Sequence, residues 1–294
     1  MNYNHLMIFQ AVAEEGSVSR GAERLCISQP AVSKQLAVLE ASLKTKLLDR
    51  LPKGVRLTEA GELLLGYVQR MSRLEREAEQ AMAELQGLAR GTLTVGASLT
   101  VGAYLMPEIL AEYGRRYPKI ALTLEIANTE VIQRMLLDGK LDIGLTEGFA
   151  DAPDLDAAVF AEDELVAIAP PGHPLLQQAS ITVERLLQEP LILREPGSGT
   201  RAVLERALAE RGLTVTPLMS LGSTEAIKRA VAAGAGLAVI SRLALGLELE
   251  MGRLTLLLLS DLTLRRSLHR LTRRGAYQSR ALRAFQKLLA EIPR

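Results

Sequence analysis

The sequence predicts an α/β domain preceded by a small helical module and one long helix, and three observations carry that prediction. Residues 16–40, GSVSRGAERLCISQPAVSKQLAVLE, hold two short amphipathic segments with a tight turn between them. Residues 60–85 hold apolar positions in unbroken heptad register. From residue 91 onward, strand-like runs alternate with helical ones, the pattern of α/β architecture with largely parallel strands.

The chain's 294 residues suffice for two or three domains with cores of their own. With 48% apolar and 23% charged residues, the composition is that of a globular protein. Trp is absent and aromatics make up 3%, so the core is aliphatic and stacking on single-stranded nucleic acid is disfavoured. The one cysteine, Cys26, rules out an intrachain disulfide framework and fits a reducing compartment. Its place between Leu25 and Ile27 predicts a packed apolar role rather than a redox one. The stretch MNYNHLMIFQAVAEE has no basic n-region, and no uncharged apolar run approaches the ~18–20 residues of a membrane span. The sequence therefore reads as a cytoplasmic protein with no membrane partner.

The net charge of +1 conceals a segregation. Residues 1–57 hold 8 Lys/Arg against 5 Asp/Glu, residues 91–263 hold 14 against 22, and residues 264–294 hold 9 against 1. A basic N-terminal module on a nearly neutral chain fits a nucleic-acid reader joined to something else. The basic C-terminal stretch, with Arg265, Arg266, Arg270, Arg273 and Arg274, reads as a solvated strand face or a contact with the acidic region of another subunit.

In chain order, residues 4–15 predict a helix whose inner face is His5, Leu6, Phe9, Val12 and Ala13. Ser17 caps the next helix, on which Val18, Ala22 and Leu25 recur at helical spacing. Ser28 caps the third, with Pro30 in the first turn, where a missing N–H matters little. Val32, Leu36 and Leu39 form its buried stripe. Its other face shows Gln29, Ser33, Lys34 and Gln35. Those side chains suit a DNA groove: Gln29 can bond a base edge with two groups, Ser28 and Ser33 are short adaptable partners, Lys34 neutralises phosphate, and Ala31 can touch a thymine methyl. Taken alone, the pair is equally a small helical hairpin with a solvated polar face.

The segment after the pair favours the DNA reader. Residues 47–57 predict a two-stranded wing turning at Leu51-Pro52-Lys53-Gly54, and its basic side chains Arg50, Lys53 and Arg56 are placed for phosphates or the minor groove. Thr58 caps a helix running to about residue 88. Ala60, Leu64, Tyr67, Met71, Leu74, Ala78, Ala81 and Leu85 lie in alternating steps of 4 and 3 along it, a dimerisation seam. Gly87 and Gly91 bracket a linker.

Beyond it, strands are predicted at 92–97, 121–127, 141–146, 165–169, 191–194, 216–221, 237–240, 253–259 and 264–272. Helices are predicted at 101–117, 130–138, 182–187, 202–211, 223–233 and 277–291. The blocks divide near Glu162, and the last strand and helix return to the first block.

The N-terminal module, wing and heptad helix resemble the LysR-type transcriptional regulators. Phe9 and Ala13, Gly16-Ser17 and Ala22, Ser28-Gln29-Pro30-Ala31-Val32-Ser33, Leu39-Glu40, Leu47, Arg50, Leu57-Thr58 and Ala60-Gly61 carry the likeness in order and spacing. It covers residues 1–90, and the remainder is similar to that family's effector domain. The resemblance implies a winged helix-turn-helix domain at 1–58, a linker and dimerisation helix at 59–90 and an effector-binding domain at 91–294. That last domain would be of the type 2 periplasmic-binding-protein kind, with lobe I at about 91–162 and 264–294 and lobe II at about 163–263. It implies a homodimer or homotetramer, an inverted-repeat double-stranded operator, contact with RNA polymerase and an effector between the lobes. Two recognition helices paired by a symmetric coiled coil would read two half-sites.

The cleft so implied points to Ser98 and Thr100 after the first strand, Thr146 after the third, Ser198, Thr200 and Arg201 in the loop REPGSGTR, and Thr224 at a helix start. Each segment sets hydroxyls at a strand's C-terminal end beside a helix N-terminus, a chemistry suited to a small anion, to which Arg201 could add a bidentate grip. Each, taken singly, is also an ordinary N-cap. The loop is similar to those of members that sense small sulfur oxyanions or regulate autotrophic metabolism.

Against an enzyme, His5, His173 and His269 lie in different elements and no metal-ligand spacing exists. The loop 197–201 lacks both the G-x-S-x-G elbow and a phosphate-loop Lys, and Gly234-Ala235-Gly236 runs from helix to strand, the reverse of the dinucleotide-binding order. No cofactor is called for. The alternative is an α/β enzyme or solute-binding domain acting on a small acid, with a DNA-binding appendage.

Overall fold

The computed structural model describes residues 1–85, 91–148 and 152–291, without the side chains of residues 80 and 83–85. The linker expected between Gly87 and Gly91, and the side chain of Leu85, fall outside these described residues. The chain divides into two compact units, Met1–Gln86 and Gly87–Arg294.

The first unit comprises α1 (Tyr3–Glu15), α2 (Val18–Arg24), α3 (Gln29–Leu43), β1 (Leu48–Leu51), β2 (Gly54–Leu57) and α4 (Glu59–Leu85). Leu6, Phe9, Val12, Ala22, Val32, Leu36, Leu39, Leu47 and Val68 close its core. His5 and Ala13 are half-buried at the rim, while Ile8 and Ala11 go inside. Cys26 departs from expectation: it is exposed. The turn between α2 and α3 puts it at φ +54°, which aims its side chain at solvent and leaves the apolar packing to Leu25.

The second unit opens with β3 (Gly91–Ser98), α5 (Leu99–Tyr104), α6 (Met106–Arg116), β4 (Ile120–Ala127), α7 (Thr129–Leu137), β5 (Ile143–Glu147) and β6 (Leu155–Ala169). It continues through α8 (Val183–Leu186), β7 (Leu191–Arg194), α9 (Gly199–Ala209), β8 (Met219–Leu221), α10 (Thr224–Ala232) and β9 (Leu237–Ser241). It ends with α11 (Gly246–Glu250), β10 (Thr255–Leu257), β11 (Leu264–Arg273) and α12 (Arg280–Ala290). The single helix expected over 101–117 is two, because the ring of Pro107 would strike the carbonyl one turn back; Pro107 instead sits in the first turn of α6. The segment 155–164 is strand without a sequence expectation of it, since its small and acidic residues carry little β signal. The strand expected over 253–259 is only β10, and α11 precedes it.

The strands form one sheet in the order β4-β3-β5-β11-β6-β9-β7-β8, with β10 on β6. The expectation of largely parallel strands holds only on the flanks. β3 is parallel to β4 and β5, and β7 to β8 and β9, but β11 and β6 in the middle run antiparallel to each other and to their outer neighbours.

Those two long strands pass through two separate cores. Ala161 and Leu268 pack with Val95, Ile143 and Phe285 on one side. Leu165 and Leu264 pack with Leu191, Leu204 and Val239 on the other. Between the two pairs stand Asp163 and Arg266, directly opposite in register. Arg266 Nε donates to Asp163 Oδ2 at 2.8 Å, Nη2 lies 2.6 Å from the same oxygen, and the Ser241 hydroxyl donates to Oδ1 at 2.9 Å. Arg266 is thus neither a solvated residue nor free for another subunit. It is buried, and it joins the two halves of the sheet.

Replacing Arg266 with Leu leaves Asp163 buried without its counter-charge and should lower stability by about 3–5 kcal/mol in urea unfolding. Adding Asp163→Leu to that variant should recover much of the loss. A double variant no more stable than the single one would show that the pair is not what holds this crossing.

Candidate functional site

Two groups of residues collect side chains beyond those the cores need. In the first unit, Ser28 caps α3 by accepting from Ala31 N at 3.4 Å, which sets the first turn of α3 at the surface. Gln29, Pro30 and Lys34 are exposed there, and Ala31 and Ser33 are half-buried. The Ser19 hydroxyl of α2 donates to Gln29 Oε1 at 3.2 Å, so one end of that amide is already held. Glu40 Oε1 accepts from Leu47 N at 2.8 Å and Leu48 N at 3.3 Å, tying the far end of α3 to the wing.

The wing itself is the antiparallel pair β1–β2. Its tip docks on the α1–α2 turn, where Val55 N donates to Gly16 O at 2.9 Å. A side chain at Gly54 would run into that same carbonyl, and its φ of +98° suits glycine alone. Arg50, Lys53 and Arg56 are exposed on the hairpin, Arg56 with Asp49 3.5 Å away. Thr58 Oγ1 accepts from Gly61 N at 3.0 Å and donates to Lys46 O at 2.8 Å, which locks the start of α4 to the wing. Along α4, Val68 is buried against the core with Leu64 beside it, whereas Tyr67 (53% exposed), Met71 (37%) and Leu74 (60%) face outward.

In the second unit, strand ends and helix starts converge as the hydroxyl pattern suggests. Ser98, Thr100, Thr146, Ser198, Thr200 and Thr224 are all buried. Asn128 and Ser223 cap α7 and α10 in the ordinary way, accepting from Val131 N at 3.0 Å and Ala226 N at 3.4 Å. Ser98 and Ser198 occupy the same position on α5 and α9 but make no cap bond. Ser98 donates to Glu147 Oε2 instead. The Ser198 hydroxyl is buried with no hydrogen-bond partner among the described residues, which for a group in low dielectric is unfavourable unless something else supplies one.

Sequence reasoning missed the charged members of this cluster. Arg266 Nη1 donates to Thr200 Oγ1 at 2.9 Å and stands 3.7 Å from Glu147 Oε1. Arg194, at the end of β7, donates to Thr224 Oγ1 at 3.3 Å and pairs with Glu195 at 2.7 and 2.8 Å. Burial pushes the Glu147 carboxyl above the usual carboxylate range, against the pull of Arg266 and Arg194. Arg201, expected in the cleft, is turned to Glu205 at 2.7 Å, Arg194 O at 3.2 Å and Ser220 at 3.3 Å, so it braces the loop rather than facing the cluster. The loop closes on the opposite lobe: Glu130 N donates to Gly197 O at 3.3 Å, and a side chain at Gly199 would run into the carbonyl of Glu147.

A second tie between the lobes lies nearby. Tyr104 of α5 donates to Glu225 of α10 at 2.6 Å. Burial and that bond push the Tyr104 hydroxyl up to about 12. Lys228 lies 2.6 Å from Glu225 and 2.7 Å from Glu248. Although burial lowers its pKa, the two carboxylates hold it above the ordinary lysine value.

Among the described residues no helix is long and apolar enough to cross a membrane, and no three His, Cys, Asp or Glu side chains gather as a metal site. Residues 3–62 match the family model "Bacterial regulatory helix-turn-helix protein, lysR family", and residues 86–293 match "LysR substrate binding domain". A curated relative, the RuBisCO operon transcriptional regulator of Allochromatium vinosum, is 38% identical over 100% of this chain and 97% of its own length. A full-length OxyR from Pseudomonas aeruginosa has the same fold, with a TM-score of 0.75 at 24% identity over 99% of this chain and 95% of that one. The regulatory domain of CcmR from Synechocystis PCC6803, solved in complex with 2-PG, gives a TM-score of 0.64 at 30% identity over 68% of this chain and 96% of that one.

The unmade cap at Ser198 has a thermodynamic signature. Ser223→Ala should lose about 1 kcal/mol, the ordinary loss of an N-cap, whereas Ser198→Ala should leave stability unchanged or raise it. Urea unfolding decides; equal losses would mean that Ser198 caps its helix after all.

Proposed function

The chain belongs to the LysR-type family of DNA-binding transcriptional regulators, and on that premise we propose that a small anionic effector, bound between the lobes at the cluster around Ser198, controls how it occupies its operator. The observation that carries this reading is the pair of uncapped serines. Two helices leave their N-cap hydroxyls off the backbone, one donating to Glu147 and one with no partner among the described residues, beside the buried guanidinium groups of Arg194 and Arg266. The N–H groups freed at the start of α9, with hydroxyls and helix dipole behind them, favour negative charge. Ser98, Thr100, Thr146, Ser198, Thr200 and Thr224 supply the polar lining, with Arg194 and Arg266 in the place that the sequence alone suggests for Arg201. The 2-PG in the related CcmR domain supports an anionic occupant.

At the other end of the chain, α3 enters the major groove of double-stranded operator DNA. Gln29, with Ser28, Pro30, Ala31, Ser33 and Lys34 around it, reads base edges, while Arg50, Lys53 and Arg56 hold phosphates. The outward row Tyr67, Met71 and Leu74 on α4 is the face on which a second copy pairs, giving a homodimer or homotetramer matched to a two-fold operator. RNA polymerase is the downstream partner that the family membership suggests.

Four outcomes are expected. In binding to duplexes carrying the operator adjoining its own coding region, Gln29→Ala should relax base preference. Arg56→Ala should weaken binding to every sequence and lower the salt slope by about 1. If both variants behave alike, α3 and the wing do not divide the work in this way. In a thermal-shift screen of small anions, a ligand at about 100 times its Kd should stabilise the wild type by about 2.7 kcal/mol. Thr100→Val should abolish that shift with operator affinity intact; an undiminished shift would place the effector elsewhere.

A further inference from the structure

The charge balance at this cleft is unusual for an anion site: two buried guanidinium groups face three carboxylates, those of Glu147, Asp163 and Glu195. Two of the three are neutralised at contact distance. Asp163 holds Arg266 at 2.6 and 2.8 Å and accepts from Ser241. Glu195 holds Arg194 at 2.7 and 2.8 Å. Glu147 is different. Its ion pair with Arg266 is 3.7 Å long, and its close neighbour is the neutral hydroxyl of Ser98.

Among the described residues, Glu147 is met from several elements. Ser98 approaches from the end of β3, and Arg266 from β11 with Asp163 of β6 behind it. Arg194 acts from β7 at longer range. The start of α9 presses on its backbone through Gly199, and the Thr129 hydroxyl of α7 donates to its carbonyl at 3.3 Å. His269 on β11 stands opposite Thr146, one position from the Leu268 that faces Glu147 in register, and burial lowers its pKa. An anion entering this space meets a second buried negative charge unless a proton lies between them. A carboxylate and an anion that share one proton make a strong charge-assisted hydrogen bond. Without that proton they repel.

We propose that one proton is shared between Glu147 and the bound anion, so that the cleft takes oxyanions that carry a hydrogen and admits fully ionised ones only when Glu147 is itself protonated. The inference rests on the reading of the cleft as an anion site and adds what that site selects for. In one case the ligand brings the proton and its O–H donates to the Glu147 carboxylate. In the other the carboxylate takes up a proton from solvent on binding and donates to the ligand. The product is the same, and only the second case makes affinity fall with pH.

Calorimetry on the full-length protein tests this with two probes, sodium phosphate, which keeps a proton through the neutral range, and sodium sulfate, which has none. Titrations at about pH 6 and about pH 8, in two buffers of different ionisation heat, give affinity and proton uptake together. Sulfate affinity should fall as pH rises, by up to about tenfold per unit, with close to one proton taken up per sulfate. Phosphate at the higher pH should bind at least about tenfold more tightly than sulfate. Glu147→Gln, whose amide donates at any pH, should bind sulfate with that slope removed. Should this variant not fold, the wild-type slope and buffer-dependent heat decide alone.

Sulfate bound by the wild type as tightly as phosphate at the higher pH, with no proton uptake, would overturn the shared proton while leaving an anion site. A slope that survives in Glu147→Gln would do the same and place the titrating group elsewhere. Failure of both anions to bind either protein would overturn the anion site itself, and this inference with it.

Discussion

The second unit depends on one cross-strand pair. Asp163 and Arg266 face each other across β6 and β11 at the place where those strands leave one core and enter the other. A hydrophobic pair there would fuse the cores into one. The ion pair keeps them apart, and it leaves Arg266 with a nitrogen to spare for Thr200 and a side exposed to Glu147. Buried ion pairs are often no more stabilising than apolar side chains of the same size. The gain here is positional, since one guanidinium fixes a strand crossing, a helix start and a carboxylate together.

The polar cluster is a consequence of that arrangement. The parallel strands of the two flanks run in opposite directions, but the flanks are offset along β6 and β11, so their C-terminal ends meet at the crossing, and the helices after them begin there. Every such helix needs its first N–H groups satisfied. α7 and α10 meet the need within their own sequence, at Asn128 and Ser223. α5 and α9 do not, although Ser98 and Ser198 are chemically able to. Hydroxyls and N–H groups left in this state, next to two buried arginines, are what a bound anion would complete.

Local chemistry is legible in the sequence, and pairing at a distance is not. The winged module can be read because its signals are short-range: Ser17, Ser28 and Thr58 cap helices, Gly54 turns the hairpin, and Val32, Leu36 and Leu39 repeat on one face of α3. The strand-end hydroxyls are legible for the same reason. Glu147, Asp163 and Arg266 are not, because each acquires its role from a partner on another strand, 103 positions away for Asp163 and Arg266. A signal for Arg266 does exist: an arginine inside a strand whose neighbours Leu264 and Leu268 alternate inward must face the core. Arg201 misleads because a cation beside a glycine-rich loop looks like a ligand grip, and only the structure shows it bound to Glu205. Cys26 misleads because apolar neighbours in sequence say nothing of a backbone forced to positive φ.

Backbone hydrogen exchange tests most directly whether the strand-end cluster holds an anion. The N–H groups of Gly199 and Thr200 begin α9 beside the Ser198 hydroxyl, which has no partner among the described residues. Exchange measured on the full-length protein with and without millimolar phosphate should slow at residues 198–201 and 98–100, with no change along α3. Unchanged exchange at those positions, or protection confined to another part of the sheet, would contradict an anion held there.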